Sequence, residues 1–278
     1  MTLLLAFSKM SFGQESTLEA SLDYALVPTT SAGVSAQLFD LNIGVPVSLG
    51  AVALKPVIGL HNYDIEYWED LSFNTQPVEN IHNVFAGVEA EYQWNQNVSV
   101  MARANASWAS GIRSDQTVVT GATAFQYIFK KSSPTTLRLG IQYGAALGDL
   151  QLLPLAELAF STKRFHMTLG FPETRIKYAL NTNSSIETSF SFNGDYFYLP
   201  KTTLLDTHTA AQASIANQKL GLDYTYTIDD SWAFSLSGGY LFKNELNLYQ
   251  SLNNTVYTLD MGTGPVFSTG IKFNFSKQ

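Results

Sequence analysis

The sequence predicts an all-β chain that closes on itself as an antiparallel, up-and-down transmembrane β-barrel of about fourteen strands, with twelve as the alternative count. Three observations carry this. Apolar and polar residues alternate with period two through nearly the whole chain. The apolar parity carries rings near many strand ends. The connections alternate between tight turns and longer loops.

Near the start, Leu18, Ala20, Leu22, Tyr24 and Leu26 share one parity, and after "TTSAG" a second run carries Phe39, Leu41, Ile43 and Val45. Period two is the mark of a half-buried strand. A third run, roughly 50–67, feeds the loop "WEDLSFNTQPVEN". Strand 82–94 sets Val84, Ala86, Val88, Ala90, Tyr92 and Trp94 against Gly87, Glu89, Glu91 and Gln93. Only "NQN" separates it from Val98, Val100, Ala102, Ala104, Ala106 and Trp108. A turn that short makes an antiparallel hairpin. Strand 118–130, the turn "KKSSPT" and strand 137–145 follow, with Phe125, Tyr127, Leu139 and Ile141 on the apolar parity.

The second half repeats the pattern. "QLLPLAELAF" and "RFHMTLGF" flank a turn at Ser161 to Lys163, and "TRIKYAL" and "SIETSFSF" flank Asn181 to Ser184. A long run over about 208–228 breaks at Asp229-Asp230-Ser231 and resumes with Trp232, Phe234, Leu236, Tyr240 and Phe242. The last strand, near 265–275, places Phe267, Ile271, Phe273 and Phe275 on one face.

Closure in a membrane follows from three features. The tight connections "SLGA", "NQN", "KSSP", "STK", "NTNSS" and "DDS" suit periplasmic turns, whereas 68–80, 110–117, 199–207 and about 244–263 read as extracellular loops. Tyr92, Trp94, Trp108, Tyr127, Phe129, Phe160, Tyr178, Tyr226, Trp232, Phe273 and Phe275 stand near strand ends, as aromatic girdles do. An open sheet edge in hydrocarbon would leave backbone groups unpaired, so the sheet must close. The count is fourteen unless Gly170-Phe171-Pro172 lies within one bent strand, which gives twelve. Pro56, Pro154 and Pro172 each remove a ladder donor; Pro172 suits a bend, and Pro56 marks a bulge or register break.

The charge is −7 with 14% charged residues, so no basic field is available for nucleic acid. No cysteine occurs, which excludes disulfide scaffolds and thiolate metal sites. Residues 1–13 read as a truncated signal peptide ending at "SFG", with 14–278 as a single barrel domain.

The secretion-like start, the "Y-x-Y/D-x-W-x-F-x-L" hairpin at Tyr224 to Leu236 and the closing "GIKFNF" at Gly270 to Phe275 resemble bacterial outer-membrane β-barrels. "LPLAELAFSTKRFHMTLGFPETRIKYAL", residues 153–180, is similar to a family of uncharacterised outer-membrane barrels from the Bacteroidota, over most of the mature chain. The resemblance implies the outer membrane of a Gram-negative bacterium, with its lipids, lipopolysaccharide and barrel assembly machinery as partners. It implies no activity and no catalytic residues.

With the aromatic parity outward, the inward parity holds Glu89, Glu91, Arg103, Arg138, Glu157, Arg164, His166, Arg175, Lys177 and Glu187. Opposite signs on successive strands predict a lumen charge network that holds the barrel shape; the same residues lining a solute-selecting pore is the second reading. The function expected is structural or passive small-solute transport, with binding or adhesion through the outer loops as the alternative and a barrel-borne lipid hydrolase as a remote one. A hydrolase needs Ser and His together on the outer rim with an orienting partner. His61 beside Asn62, His82 beside Asn83, and His208 near Asp206 read as ordinary rim histidines instead. Glu89 and Glu91 share a face, but the spacing carries little specificity for acid–base or calcium chemistry. No HExxH, GxGxxG or GxxxxGK[ST] occurs, so no enzyme, metal or small-molecule cofactor is expected.

Overall fold

Alternation becomes strand along nearly every predicted run. The computed structural model describes residues 17–276 apart from 69–70, 72, 110, 113, 130–134 and 206–207. The strands are β1 Thr17–Val27, β2 Val34–Gly44, β3 Val47–Leu49, β4 Val52–Tyr67, β5 Asn80–Asn95, β6 Val98–Trp108, β7 Val118–Ile128 and β8 Thr135–Gly144. They continue with β9 Gln151–Ser161, β10 Phe165–Phe171, β11 Glu173–Ala179, β12 Ser184–Leu205, β13 His208–Thr227, β14 Trp232–Ser251, β15 Asn254–Asp260 and β16 Gly264–Ser276. A single helical turn, α1 Gln76–Glu79, follows Asn74 and Thr75.

Sixteen strands form one antiparallel sheet, and setting aside the short β3 and β15 leaves a ring of fourteen. The ring closes where β1 pairs with β16, from Thr17↔Ser276 to Leu26↔Phe267, and where β14 pairs with both β16 and β13. β10 and β11 are separate strands that turn at Pro172, so the count is fourteen and not twelve. Six connections and both described termini lie at one end, here the turn end; seven connections lie at the other, the loop end.

The outward parity is the apolar one. On β13 and β14, Leu222, Tyr224, Tyr226, Phe234 and Leu236 are exposed, while Asp223 and Ser237 between them hydrogen-bond to each other on the inner face. A water-soluble sheet buries such a face; this one turns it outward all round the ring. The rings gather beside the tight turns: Tyr92 and Trp94, Tyr127 and Phe129, Tyr178, Tyr226, and Trp232, whose ring centre is 4.5 Å from that of Phe273. Trp108 lies instead at the loop end, where its Nε1 donates to Thr117 at 2.8 Å.

The prolines fall where the ladder can spare a donor. β4 runs through Pro56 in unbroken register with β5. The interruption lies on its other side, where Val45 and Pro46 separate β2 from β3, and Gly44↔Val57 and Val47↔Leu54 keep one offset across the gap. The expected register break is thus a gap in the neighbouring strand. Pro154 sits beyond the last β10 pairing of β9, which is Phe171↔Ala156.

Two predicted loops are corrected. Segments 199–207 and 244–263 hold the outer parts of β12 and β14, and β15. Pro200 stands within a register shift between Tyr198 and Thr203, so the strand absorbs it as an irregularity. The leader expected over residues 1–13 lies outside the described residues.

Candidate functional site

β12, β13 and β14 are 22, 20 and 20 residues long, about twice most of their neighbours. Their outer parts, joined by β15, do not stand up into solvent. They fold across the loop end of the ring and are buried on both faces. One face sets Phe197, Leu199, Ala213, Ile215, Leu246 and Leu248 against Val34 of β2, Ile65 of β4, Ile81 of β5, Val78 of α1 and Phe73. The other sets Tyr196 and Tyr249 against Val118 of β7 and against Ala145 and Leu150 in the β8–β9 connection. This cap is a small protein core built across the mouth of a barrel.

Close approach shows how the cap enters. A Cβ on Gly194 would lie 1.9 Å from the Ala145 carbonyl oxygen, so only glycine lets β12 pass the end of β8. The next residue, Asp195, reaches β4, which is eight strands away round the ring one way and six the other. Its Oδ2 lies 3.0 Å from His61 Nδ1 and also accepts from the Tyr63 hydroxyl. His61 in turn meets the Phe85 ring edge-on at 5.0 Å. A strut of three polar groups therefore spans the lumen under the cap. Within the cap, the Tyr249 hydroxyl lies 3.0 Å from both Ser214 Oγ and Asp149 Oδ1, and burial pushes its phenol above the ordinary value, keeping it a donor.

Beneath the cap lies a chamber of about 1230 Å³. Its wall runs from Tyr196, Ile215 and Met261 under the cap to Glu19, Thr225 and Asn274 near the turn end. Charges of both signs line it, including Asp23, Asp40 and Asp223 against Lys219 and Lys272.

The residues expected to form a charge network divide into several groups. Glu89, Arg103, Arg175, Lys177 and Glu187 line the chamber. Glu89 pairs in register with Lys55 on one side and Arg103 on the other, and Lys177 with Glu187, although Lys55 directs its amine to Glu19 at 2.6 Å. Arg175 reaches Glu173 on its own strand at 3.4 Å. Arg138 and Glu157 form a separate pair at 2.6 Å, with Gln126 accepting from Arg138 at 3.0 Å. Glu91 shares the inward parity of Glu89 and stands opposite Met101. Arg164 is corrected: it lies in the turn between β9 and β10, not in the wall, because the hairpin turns one residue later than the alternation suggests.

His61 is also corrected. It sits in the interior of a 16-residue strand and faces the lumen, because β4 is unbroken where the sequence suggested an end. His82 is exposed on the outer face, while Asn83 beside it is buried on the inner one. His208 is exposed, and Asp206 lies outside the described residues. Ser161 and His166 hydrogen-bond across β9 and β10 at the turn end, opposite the rim where a lipid hydrolase would work. No group of His, Asp and Glu able to hold a metal ion is found among the described residues.

A family model described as a domain of unknown function, DUF6268, matches residues 72–274. Among solved structures, the P. putida toluene transporter TodX is similar at 9% identity and a TM-score of 0.44, over 95% of this chain and 91% of that one. A NanC porin is similar at 9% and 0.40, over 92% and 98%. LpxR from Salmonella typhimurium is similar at 8% and 0.41, over 92% and 99%. None of the three lends this chain a ligand or an activity. No curated protein matches by sequence.

Proposed function

The chain belongs to the DUF6268 family, and we propose that it is an outer-membrane barrel for the passive transport of small polar solutes, shut on the outside by its own cap. The observation that supports this is the charged chamber, which runs from the underside of the cap to residues beside the turn end. A purely structural barrel has no need to keep such a space open, whereas a path for polar solutes does. In this reading the tight turns face the periplasm, the exposed apolar band faces lipid and lipopolysaccharide, and barrel assembly machinery inserts the chain. Passage requires only that the cap move, and no catalytic step is assigned.

The test is single-channel conductance in a planar bilayer, for the native barrel and for Leu248→Asp, which places a charge in the cap core. The native barrel is expected to be mostly closed with brief openings, and the variant to carry steady current. A variant that is folded by circular dichroism, unseated at the cap and still silent rules the lumen out as a path. A second reading, partner binding at the loop end, draws on Trp68 and Ile112, which stand strongly exposed there.

A further inference from the structure

One sector of the chamber differs from the rest. On β5 to β8 its upper wall is formed by Asn83, Phe85, Asn105, Ser107, Thr120 and Gln142, none of them charged. The patch is continuous: Phe85 pairs in register with Ser107, Asn105 with Thr120, and Gln142 with Ala122, two residues along β7 from Thr120. Elsewhere the chamber is lined by charges of both signs; here the lining is carboxamide, hydroxyl and ring.

Asn83 is only 4% exposed, and its Oδ1 has no hydrogen-bond partner; Asn105 Oδ1 is likewise buried and unpaired. A buried polar atom without a partner costs about 1–3 kcal/mol, so two on one wall call for an occupant. A carboxamide presents both a donor and an acceptor, so it can answer a hydroxyl group in either sense. Phe85 is laid against the wall over Gly59, where a Cβ would come within 2.4 Å of the ring. Across the chamber, Asp195 is already engaged by His61 and Tyr63, so it offers no free charge to a ligand.

We propose that this amide-lined patch binds a neutral polyhydroxylated solute of sugar type, its hydroxyls bonding to Asn83, Asn105 and Gln142 and its C–H face lying on Phe85. Hydroxyl groups supply donors and acceptors in the number these amides need, whereas none of the six patch residues carries a charge to answer a carboxylate or ammonium. The chamber exceeds the range of about 300–1,000 Å³ typical of small-ligand sites, so a monosaccharide fits with water to spare. The inference names the solute class of the transport reading and shares its lumen.

Calorimetric titration of the full-length barrel in a sugar-free detergent tests it, with glucose as probe and gluconate and glucosamine as its charged counterparts. Saturable glucose binding that is tighter than either counterpart is expected. Asn83→Asp, nearly the same in shape, and Asn105→Ala should each weaken it by about three- to tenfold, the range set by one hydrogen bond. Both variants are first checked for the folded, heat-modifiable band; if Asn105→Ala does not fold, Asn83→Asp and the selectivity series decide. No saturable glucose binding, equal or tighter binding of a charged counterpart, or indifference to folded variants overturns the proposal, with bound water then satisfying the amides. Liposome swelling separates the two readings. Glucose bound but not passed, even after the cap is unseated, sinks transport and leaves this site; glucose passed without saturable binding does the reverse.

Discussion

The cap is made from the outer parts of three of the wall's own strands, yet wall and cap obey opposite rules. In the wall part of β13, Leu220, Leu222, Tyr224 and Tyr226 point outward and are exposed, an apolar face of the kind that suits hydrocarbon. In its outer part, five consecutive residues from Gln212 to Ala216 are buried, apolar and polar alike, because protein lies on both faces. The wall is therefore held by hydrogen-bond closure round the ring, whereas the cap is held by side-chain packing. Perturbations that distinguish these two sources of stability test whether wall and cap are separate units.

The largest effect is expected in the cap. Leu248 is 0% exposed, so Leu248→Asp buries a carboxylate among aliphatic side chains at a cost of about 4 kcal/mol or more. The wall strands enter that core only at their loop ends, through Val34, Ile65 and Ile81. Trypsin should then cut after Lys201 and Lys243, which lie in and beside the cap, while the barrel keeps its heat-modifiable band and far-ultraviolet dichroism. Loss of the band together with the cap would show that the two regions unfold as one, and the distinction between them would fail.

A smaller effect belongs to the wall. Leu222 is 55% exposed on the outer face and five residues from the turn end of β13. Leu222→Arg should cost about 2–4 kcal/mol if it lies near the bilayer midplane, against about 0.5 kcal/mol or less on a water-facing surface. Urea titration of barrels refolded into lipid vesicles measures the difference. A shift no larger than that of an exposed loop substitution would mean that this face does not meet hydrocarbon.

The wall was legible in the sequence because each of its strands has one wet face and one apolar face, which period two records directly. The opening and closing strands, the "NQN" and "DDS" turns and the inward set of charges follow from that single rule. The cap was not legible, because strands buried on both faces lose the alternation: "YFYL" at 196–199 and "LNLY" at 246–249 are apolar or amphipathic on both parities. Pro200 and Thr202-Thr203 then resemble a loop. Such unbroken runs beyond the length of a spanning strand were the available signal for a packed extension. The His61 to Asp195 strut was invisible for a different reason, since its partners lie 134 residues apart and meet only because β12 crosses the lumen. Parity says which residues face inward; it does not say which of them reach each other.

That limit supplies the finest test, within the wall itself. Arg138 and Arg103 are both inward cations opposite an inward glutamate on the next strand, so the sequence treats them alike. Arg138 meets Glu157 at 2.6 Å, with the two side chains 31% and 18% exposed, and its other nitrogen donates to Gln126. Arg103 makes no ion pair with Glu89 among the described residues and lines the chamber, where solvent screens it. Arg138→Leu should therefore destabilise the barrel by about 1–2 kcal/mol, much of it from leaving Glu157 unpaired in a half-buried place. Arg103→Leu should change stability by no more than about 0.5 kcal/mol. The temperature at which the heat-modifiable band disappears ranks the two. Equal losses would mean that the lumen charges act as one coupled network, as their spacing along the chain suggests, and that the wall owes part of its strength to its wet interior.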